Sequence, residues 1–194
     1  MFSAMSRIIA GRGRGRRLKS PHGLATRPTG GRVRQTLFDI LAPEVPGCRF
    51  LDAFAGSGAV GLEALSRGAA RVVLVDTSRT AIEAIRENAR ALAAEGGDLD
   101  IFHQDARTAL TALARKGRRF DIVYLDPPYA SELYEPTLEV LGSGPLLAEG
   151  GVVVAEHFHK RALPATIGDM EQARQVRVGD HCLSFYRSRE KRSP

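Results

Sequence analysis

The chain has 194 residues, 43% hydrophobic and 26% charged, a balance that fits one soluble globular domain and excludes disordered and fibrous classes. No apolar run approaches the ~18 residues of a membrane span, and the N-terminus lacks a signal-peptide apolar stretch, so a cytoplasmic location without membrane contact is expected. The net charge of +6 is concentrated: residues 1–38 hold Arg7, Arg12, Arg14, Arg16, Arg17, Lys19, Arg27, Arg32 and Arg34 and no acid, leaving 19 basic against 22 acidic residues in the rest of the chain, which points to a polyanionic partner for the N-terminal arm.

In chain order, Arg7–Ala10 and Arg16–Lys19 flank the repeat Gly11-Arg12-Gly13-Arg14-Gly15. The pattern suits a short hairpin presenting arginines at a glycine-rich tip, or an arm that orders on RNA. Such a stretch is expected to contribute little to an apolar core. Pro21, Gly23 and Pro28 mark an irregular connector. Val33, Leu37, Ile40 and Leu41 recur at helical spacing within 31–41, with Arg32 and Arg34 off that face.

Arg49–Phe54 reads as the first core strand, running into Ala55-Gly56-Ser57-Gly58-Ala59-Val60-Gly61 and a helix over 62–67 stopped by Gly68. Strand, glycine turn and helix N-terminus together form a cradle for a nucleotide cofactor. A second strand, Val72–Val75, ends in Asp76, 20 residues after Gly56, where a carboxylate can take both hydroxyls of a ribose. The helix after it carries Ala81, Ile82, Ile85, Ala89 and Leu92 on one face, with Thr77 or Ser78 as its cap. A third strand, Leu99–His103, ends at Gln104-Asp105-Ala106, placing Asp105 to accept from an adenine amino group. A helix is expected over 107–115.

The fourth strand, Phe120–Leu125, is cut off by Asp126-Pro127-Pro128-Tyr129. Two prolines remove two N–H donors and stiffen the turn. The Asp126 carboxylate and the Pro127 carbonyl can then accept both hydrogens of a planar exocyclic amine, while Tyr129 stacks on the ring that bears it. A helix over 133–141, a fifth strand over 151–156, and an antiparallel hairpin of 174–178 with 182–187 complete the chain. Strands and helices alternate from residue 49 to about 157, so the expected fold is α/β with a mainly parallel, doubly wound sheet. Asp52, the glycine loop, Asp76, Asp105 and Asp126 all fall at the C-terminal strand edge, where such sheets bind ligands. His157 and His159 share a strand face but lack a third ligand, and Cys48 and Cys182 read as structural thiols in a reducing compartment.

Asp52-x-Phe54-x-Gly56-x-Gly58 with the Asp126–Tyr129 turn resembles S-adenosylmethionine-dependent methyltransferases acting on exocyclic amines. Arg7–Gly11, Arg27-Pro28-Thr29-x-x-Arg32-Val33-Arg34, Leu37-Phe38 and Phe54–Gly68 narrow the resemblance to the RsmD family, which methylates a guanine N2 of bacterial small-subunit (16S) ribosomal RNA. Gly31 and Gln35 depart from that family, which often carries an acid and a Glu there. The resemblance implies a Rossmann-like class I methyltransferase with a seven-stranded sheet, residues 42–194, preceded by an RNA-binding arm and helix, residues 1–41. It implies Asp126, Pro127, Pro128 and Tyr129 as the catalytic turn. Asp52, Phe54, Gly56, Ser57, Gly58, Asp76, Thr77, Asp105 and Ala106 would hold S-adenosylmethionine, and the nine arm cations would hold RNA, in a small-subunit assembly particle and with no obligate protein partner. Direct transfer from a sulfonium calls for no metal. A DNA adenine-N6 or cytosine-N4 methyltransferase, or a protein glutamine-N5 methyltransferase, is the alternative. A nicotinamide dehydrogenase shares the glycine turn but has no use for the Asp126 turn.

Overall fold

The computed structural model describes residues 6–20, 28–92, 97–128 and 132–189. Strands β1 (Ser6–Arg7) and β2 (Arg17–Leu18) pair antiparallel as a small hairpin, followed by helix α1 (Pro28–Ile40). The core then alternates: β3 (Arg49–Asp52), α2 (Ala59–Ser66), β4 (Arg71–Asp76), α3 (Arg79–Leu92), β5 (Asp98–His103), α4 (Ala106–Arg115), β6 (Phe120–Leu125), α5 (Tyr134–Gly142) and β7 (Leu147–Phe158). Three further strands close the chain: β8 (Thr166–Ile167), β9 (Met170–Val178) and β10 (His181–Ser188).

The sheet has the order β5-β4-β3-β6-β7-β10-β9-β8. The first five of these run parallel and the last three join antiparallel. The expected seven strands are therefore present with one addition, the two-residue β8, too short to leave a periodic signal. Strand β7 is also twice the length its apolar run suggests, because the chain enters it at Leu147, before Gly150 and Gly151.

Parallel strands must be buried on both faces, which is why Phe50–Leu51, Val72–Val75 and Ile122–Leu125 are continuous apolar runs with almost no exposure. One face packs against α1, α2 and α3 through Leu37, Phe38, Leu62, Leu65, Ile82 and Ile85. The other face packs against α4 and α5 through Leu110, Leu113, Leu138 and Leu141. Strand order reverses direction between β3 and β6, which opens a crevice beyond their C-terminal ends. No helix among the described residues is long and apolar enough to cross a membrane.

The hairpin is not a separate appendage. Ile8 and Leu18 are 2% and 1% exposed and belong to the same core as the sheet. Buried Glu63 on α2 accepts the N–H of Ile9 at 2.7 Å and of Ala10 at 2.9 Å. Ser66 takes the Arg12 N–H at its carbonyl (2.9 Å) and the Gly13 N–H at its Oγ (2.9 Å). Buried Asn88 on α3 accepts from the Lys19 N–H and donates to the Lys19 carbonyl, both at 2.8 Å. The expectation that this stretch adds little to the core is thus wrong. Two apolar residues spaced ten apart carry no periodic signature, yet pairing across the hairpin puts both on the side that faces the domain.

Candidate active site

A cleft of about 690 Å³ opens over the C-terminal ends of β3, β6 and β7. Its floor and one wall come from Asp52, Phe54, Ala55, Gly56, Ser57, Tyr124, Asp126 and Glu156; the opposing wall comes from Ser6, Arg7 and Ile9 of the hairpin with Gly30, Gly31, Arg34 and Gln35 of α1. The sheet's alternation explains the floor. Tyr124 on β6 and Asp126 just beyond it alternate onto one face, and Leu125 pairs with Ala155, so Asp126 stands level with Glu156 on the neighbouring strand.

The glycine loop is held open by backbone geometry. Gly56 (φ 55) and Gly58 (φ 78) occupy left-handed conformations, and a Cβ on Gly56 would project into open space, where the loop lines the cleft. Gly61 lets α2 approach β4, since a Cβ there would lie 2.2 Å from Leu74. Asp76 braces the loop: its Oδ2 accepts the Gly56 N–H at 2.8 Å and its Oδ1 the Ser78 N–H at 2.8 Å.

Charge in the cleft is unusual for its burial. Asp52 is 1% exposed, and burial pushes its carboxyl up to about 7; the N–H groups of Phe54 and Gly61 oppose the shift, and the charges of Asp76 and Glu156 add to it. Tyr124 donates its phenol to Glu156, and burial, with the negative charges of Glu156 and Asp126, raises it well above the ordinary tyrosine value. His181 Nδ1 lies 2.7 Å from the other Glu156 oxygen. Arg34 is 7% exposed; it donates to Ser6 Oγ at 2.8 Å and to the Arg7 carbonyl at 2.6 Å, while its Nε has no hydrogen-bond partner among the described residues. Burial lowers its guanidinium below the usual value, and the charge of Glu63 partly offsets this.

The chain has relatives in sequence and in fold. A family described as conserved hypothetical protein 95 matches residues 6–187. Ribosomal RNA small subunit methyltransferase D of Escherichia coli (strain K12) is 36% identical over 184 residues, 95% of this chain and 90% of that protein. The chain belongs to the RsmD family. YlbH of Bacillus subtilis (strain 168) is also 36% identical, over 94% of this chain and 99% of its own length. The solved structure of Escherichia coli yhhF superposes with a TM-score of 0.83 at 32% identity, covering 96% of this chain and 99% of that one.

Of the residues picked out from the sequence, Asp52, Phe54, Gly56, Ser57 and Asp126 line the cleft together, with Arg7 and Arg34 opposite. Gly58 caps α2 behind the loop and Asp76 stands next to it. Asp105 faces a second groove, along α4, and its Oδ1 caps that helix by accepting from Thr108 N–H at 3.0 Å. Thr77 is exposed, Ala106 is buried as the first residue of α4, and neither lines the cleft. Pro127 is buried and Pro128 exposed; Tyr129 and Arg27 lie outside the described residues. Of the arm cations, Arg7, Arg12, Arg14, Arg16, Arg17, Lys19 and Arg32 are exposed; Arg16 also donates to the Ala91 carbonyl and Lys19 pairs with Glu87. The two positions that depart from the RsmD pattern, Gly31 and Gln35, both face the cleft. Among the described residues, no cluster of three or more His, Cys, Asp or Glu could hold a metal ion, and His157 instead bonds Ser184 Oγ at 2.9 Å.

Glu156 was readable but missed. Like Asp52, Asp76 and Asp126, it is an acid at the C-terminal end of a buried apolar run, here Val152–Ala155. Arg34 and Glu63 carried no such signal, because their partners lie 27 and 54 residues away in sequence.

Proposed function

We propose that this protein transfers a methyl group from S-adenosylmethionine to the exocyclic N2 amine of a guanine in small-subunit ribosomal RNA. The observation that carries the reading is the placement of Asp126, exposed at the end of β6, in one cleft with the glycine loop and Asp52 across the switch point of the sheet. The family relationship supports the same class of reaction.

The residues present suit the cofactor. Gly56 leaves room for a close approach, Asp76 stands by the loop for ribose hydroxyls, and the buried Nε of Arg34 offers a donor for a carboxylate. Asp105 would take an adenine amino group with the oxygen that does not cap α4. When bound, the cofactor supplies a methyl group on a sulfonium, a leaving group activated by its own charge. The chain's work is then positioning. Asp126 and the Pro127 carbonyl accept the two amine hydrogens and aim the nitrogen lone pair; Tyr129 stacks on the base, which must be splayed from its neighbours to enter. The proton leaves the cationic product for the carboxylate or water.

In this reading residues 1–41 supply RNA affinity and residues 42–194 the transfer chemistry, in the cytoplasm, on rRNA within an assembling small-subunit particle. The hairpin also walls the cleft, so RNA bound on the arm sits beside the reacting groups. Mass mapping of rRNA from cells with and without the gene tests the assignment. The expected result is loss of one N2-methylguanine from the small-subunit RNA. Unchanged guanine methylation, or a methyl group lost from an adenine, a cytosine or a protein glutamine, overturns it.

A further inference from the structure

We propose that Glu156 selects guanine by accepting the N1–H of the target base while Asp126 holds its N2 amine. The inference rests on the guanine-N2 reading above and assigns a specificity-determining residue to that site.

The position comes from strand register. Leu125 pairs with Ala155, so Asp126, just past the end of β6, stands level with Glu156 on β7, and both line the cleft. Glu156 is 6% exposed, and among the described residues its carboxylate contacts Tyr124 and His181 rather than a Lys or Arg. The Tyr124 phenol donates to one oxygen, and His181 Nδ1 stands 2.7 Å from the other. The Tyr134 phenol donates to the Glu156 carbonyl at 2.9 Å, which fixes the backbone as well. Because burial and the nearby charges of Glu156 and Asp126 keep Tyr124 a phenol, it acts there as a donor to Glu156 and fixes the position of that carboxylate. A carboxylate offers about four lone-pair sites, of which these two contacts use two. The remainder can accept from a base in the cleft.

Base chemistry supplies the rest. On guanine, the ring nitrogen beside the amine carries a hydrogen, so the edge reads donor next to donor. On adenine and cytosine the ring nitrogen beside the amine is an acceptor. Two neighbouring carboxylates complement the first edge and repel the second. A site built to bond one hydrogen rejects an analogue without it far more strongly than shape alone does. Around Glu156 stand Tyr124 on β6, Asp126 just beyond that strand, Asp52 on β3, His181 at the start of β10 and the Tyr134 phenol on α5; the cations lining the same cleft, Arg7 and Arg34, come from its opposing wall, where Arg34 is held by Ser6 and the Arg7 carbonyl.

The test uses the full chain and small-subunit particles assembled on rRNA that carries either guanine or 2-aminopurine at the mapped position. 2-Aminopurine keeps the exocyclic amine but presents an acceptor in place of N1–H. Wild-type protein is expected to prefer guanine by on the order of 10²-fold in single-turnover transfer. Glu156→Gln, whose amide can donate to an acceptor, is expected to lose on the order of 10²-fold on guanine and to bring the two bases within about tenfold, with cofactor affinity changed only a few fold. Equal wild-type transfer to both bases, which needs no variant to fold, overturns the proposal. So does a Glu156→Gln protein that retains the wild-type preference, or that loses transfer to both bases by one common factor, as a residue bracing β10 alone would do. Failure of wild-type protein to methylate the guanine particles at all would instead remove the guanine-N2 reading on which the proposal stands.

Discussion

The carboxylate of Glu63, fully buried on α2, accepts the N–H of Ile9 at 2.7 Å across 54 residues of sequence. With the Ala10 N–H at 2.9 Å and Arg67 Nε at 2.8 Å, it latches the hairpin to the domain and, through the hairpin, builds one wall of the cleft. Arg34, from α1, closes the same latch from the other side by holding Ser6 and Arg7.

Glu63→Ala leaves two hairpin amides and the Arg67 guanidinium without their acceptor. The expected loss is about 3–5 kcal/mol in urea denaturation, with faster amide exchange at Ile9 and Ala10. A loss below about 1 kcal/mol would mean that the latch is incidental. Gly11→Ala probes the same contact from the hairpin: φ there is +80°, and a Cβ would lie 1.9 Å from the Ser66 carbonyl oxygen, so the hairpin must lift.

Asp126→Ala is expected to leave cofactor affinity within a few fold and to depress single-turnover methyl transfer by on the order of 10²–10³, as for a lost transition-state hydrogen bond. Near wild-type transfer at saturating RNA would contradict its role. Tyr129→Phe should be mild by comparison, because stacking needs the ring.

Asp52 makes stability depend on pH in a definite direction. Its carboxyl ionises near pH 4 in the unfolded chain but only near 7 in the fold, so the native state binds the extra proton between those values and stability falls as pH rises through that window. Without ligand, wild-type protein should lose on the order of 2–3 kcal/mol from this group between pH 5 and 7.5, and Asp52→Asn should lack that component. Parallel pH profiles for the two proteins, taken from urea midpoints, would refute it.

The arm's charges should be visible as salt dependence. Arg14, Arg17 and Arg32 are exposed, so replacing all three with Ala leaves the buried hairpin residues in place. The log–log slope of RNA binding should flatten by about 2–3, since each phosphate left without its cation removes roughly 0.7–0.9, with cofactor binding unchanged. An unaltered slope would move RNA recognition away from the arm. This triple variant is a sharper probe than truncation of residues 1–19, which would also remove Ile8 and Leu18 from the core.

The chain's local patterns determined the sheet, its helices and most of the floor of the cleft. Apolar runs ending in Asp52, Asp76 and Asp126 are legible because strand burial and strand termination are both short-range, and the C-terminal edge of a parallel sheet then gathers those ends without further information. Asp105 shows the limit of that reasoning. The Asp-x-x-Thr spacing to Thr108 was equally a helix cap, and the fold uses Oδ1 for it. What only the tertiary structure decided is which partner each buried charge takes. Arg34 lies among exposed-looking cations in sequence, yet α1 turns it inward onto Ser6 and Arg7; Glu156 becomes a held acceptor only when β6 and β10 bring Tyr124 and His181 to it from either side. Isolated charges cannot stay buried without such partners, and partners 25 to 54 residues away are chosen by strand order and register, which no local window contains.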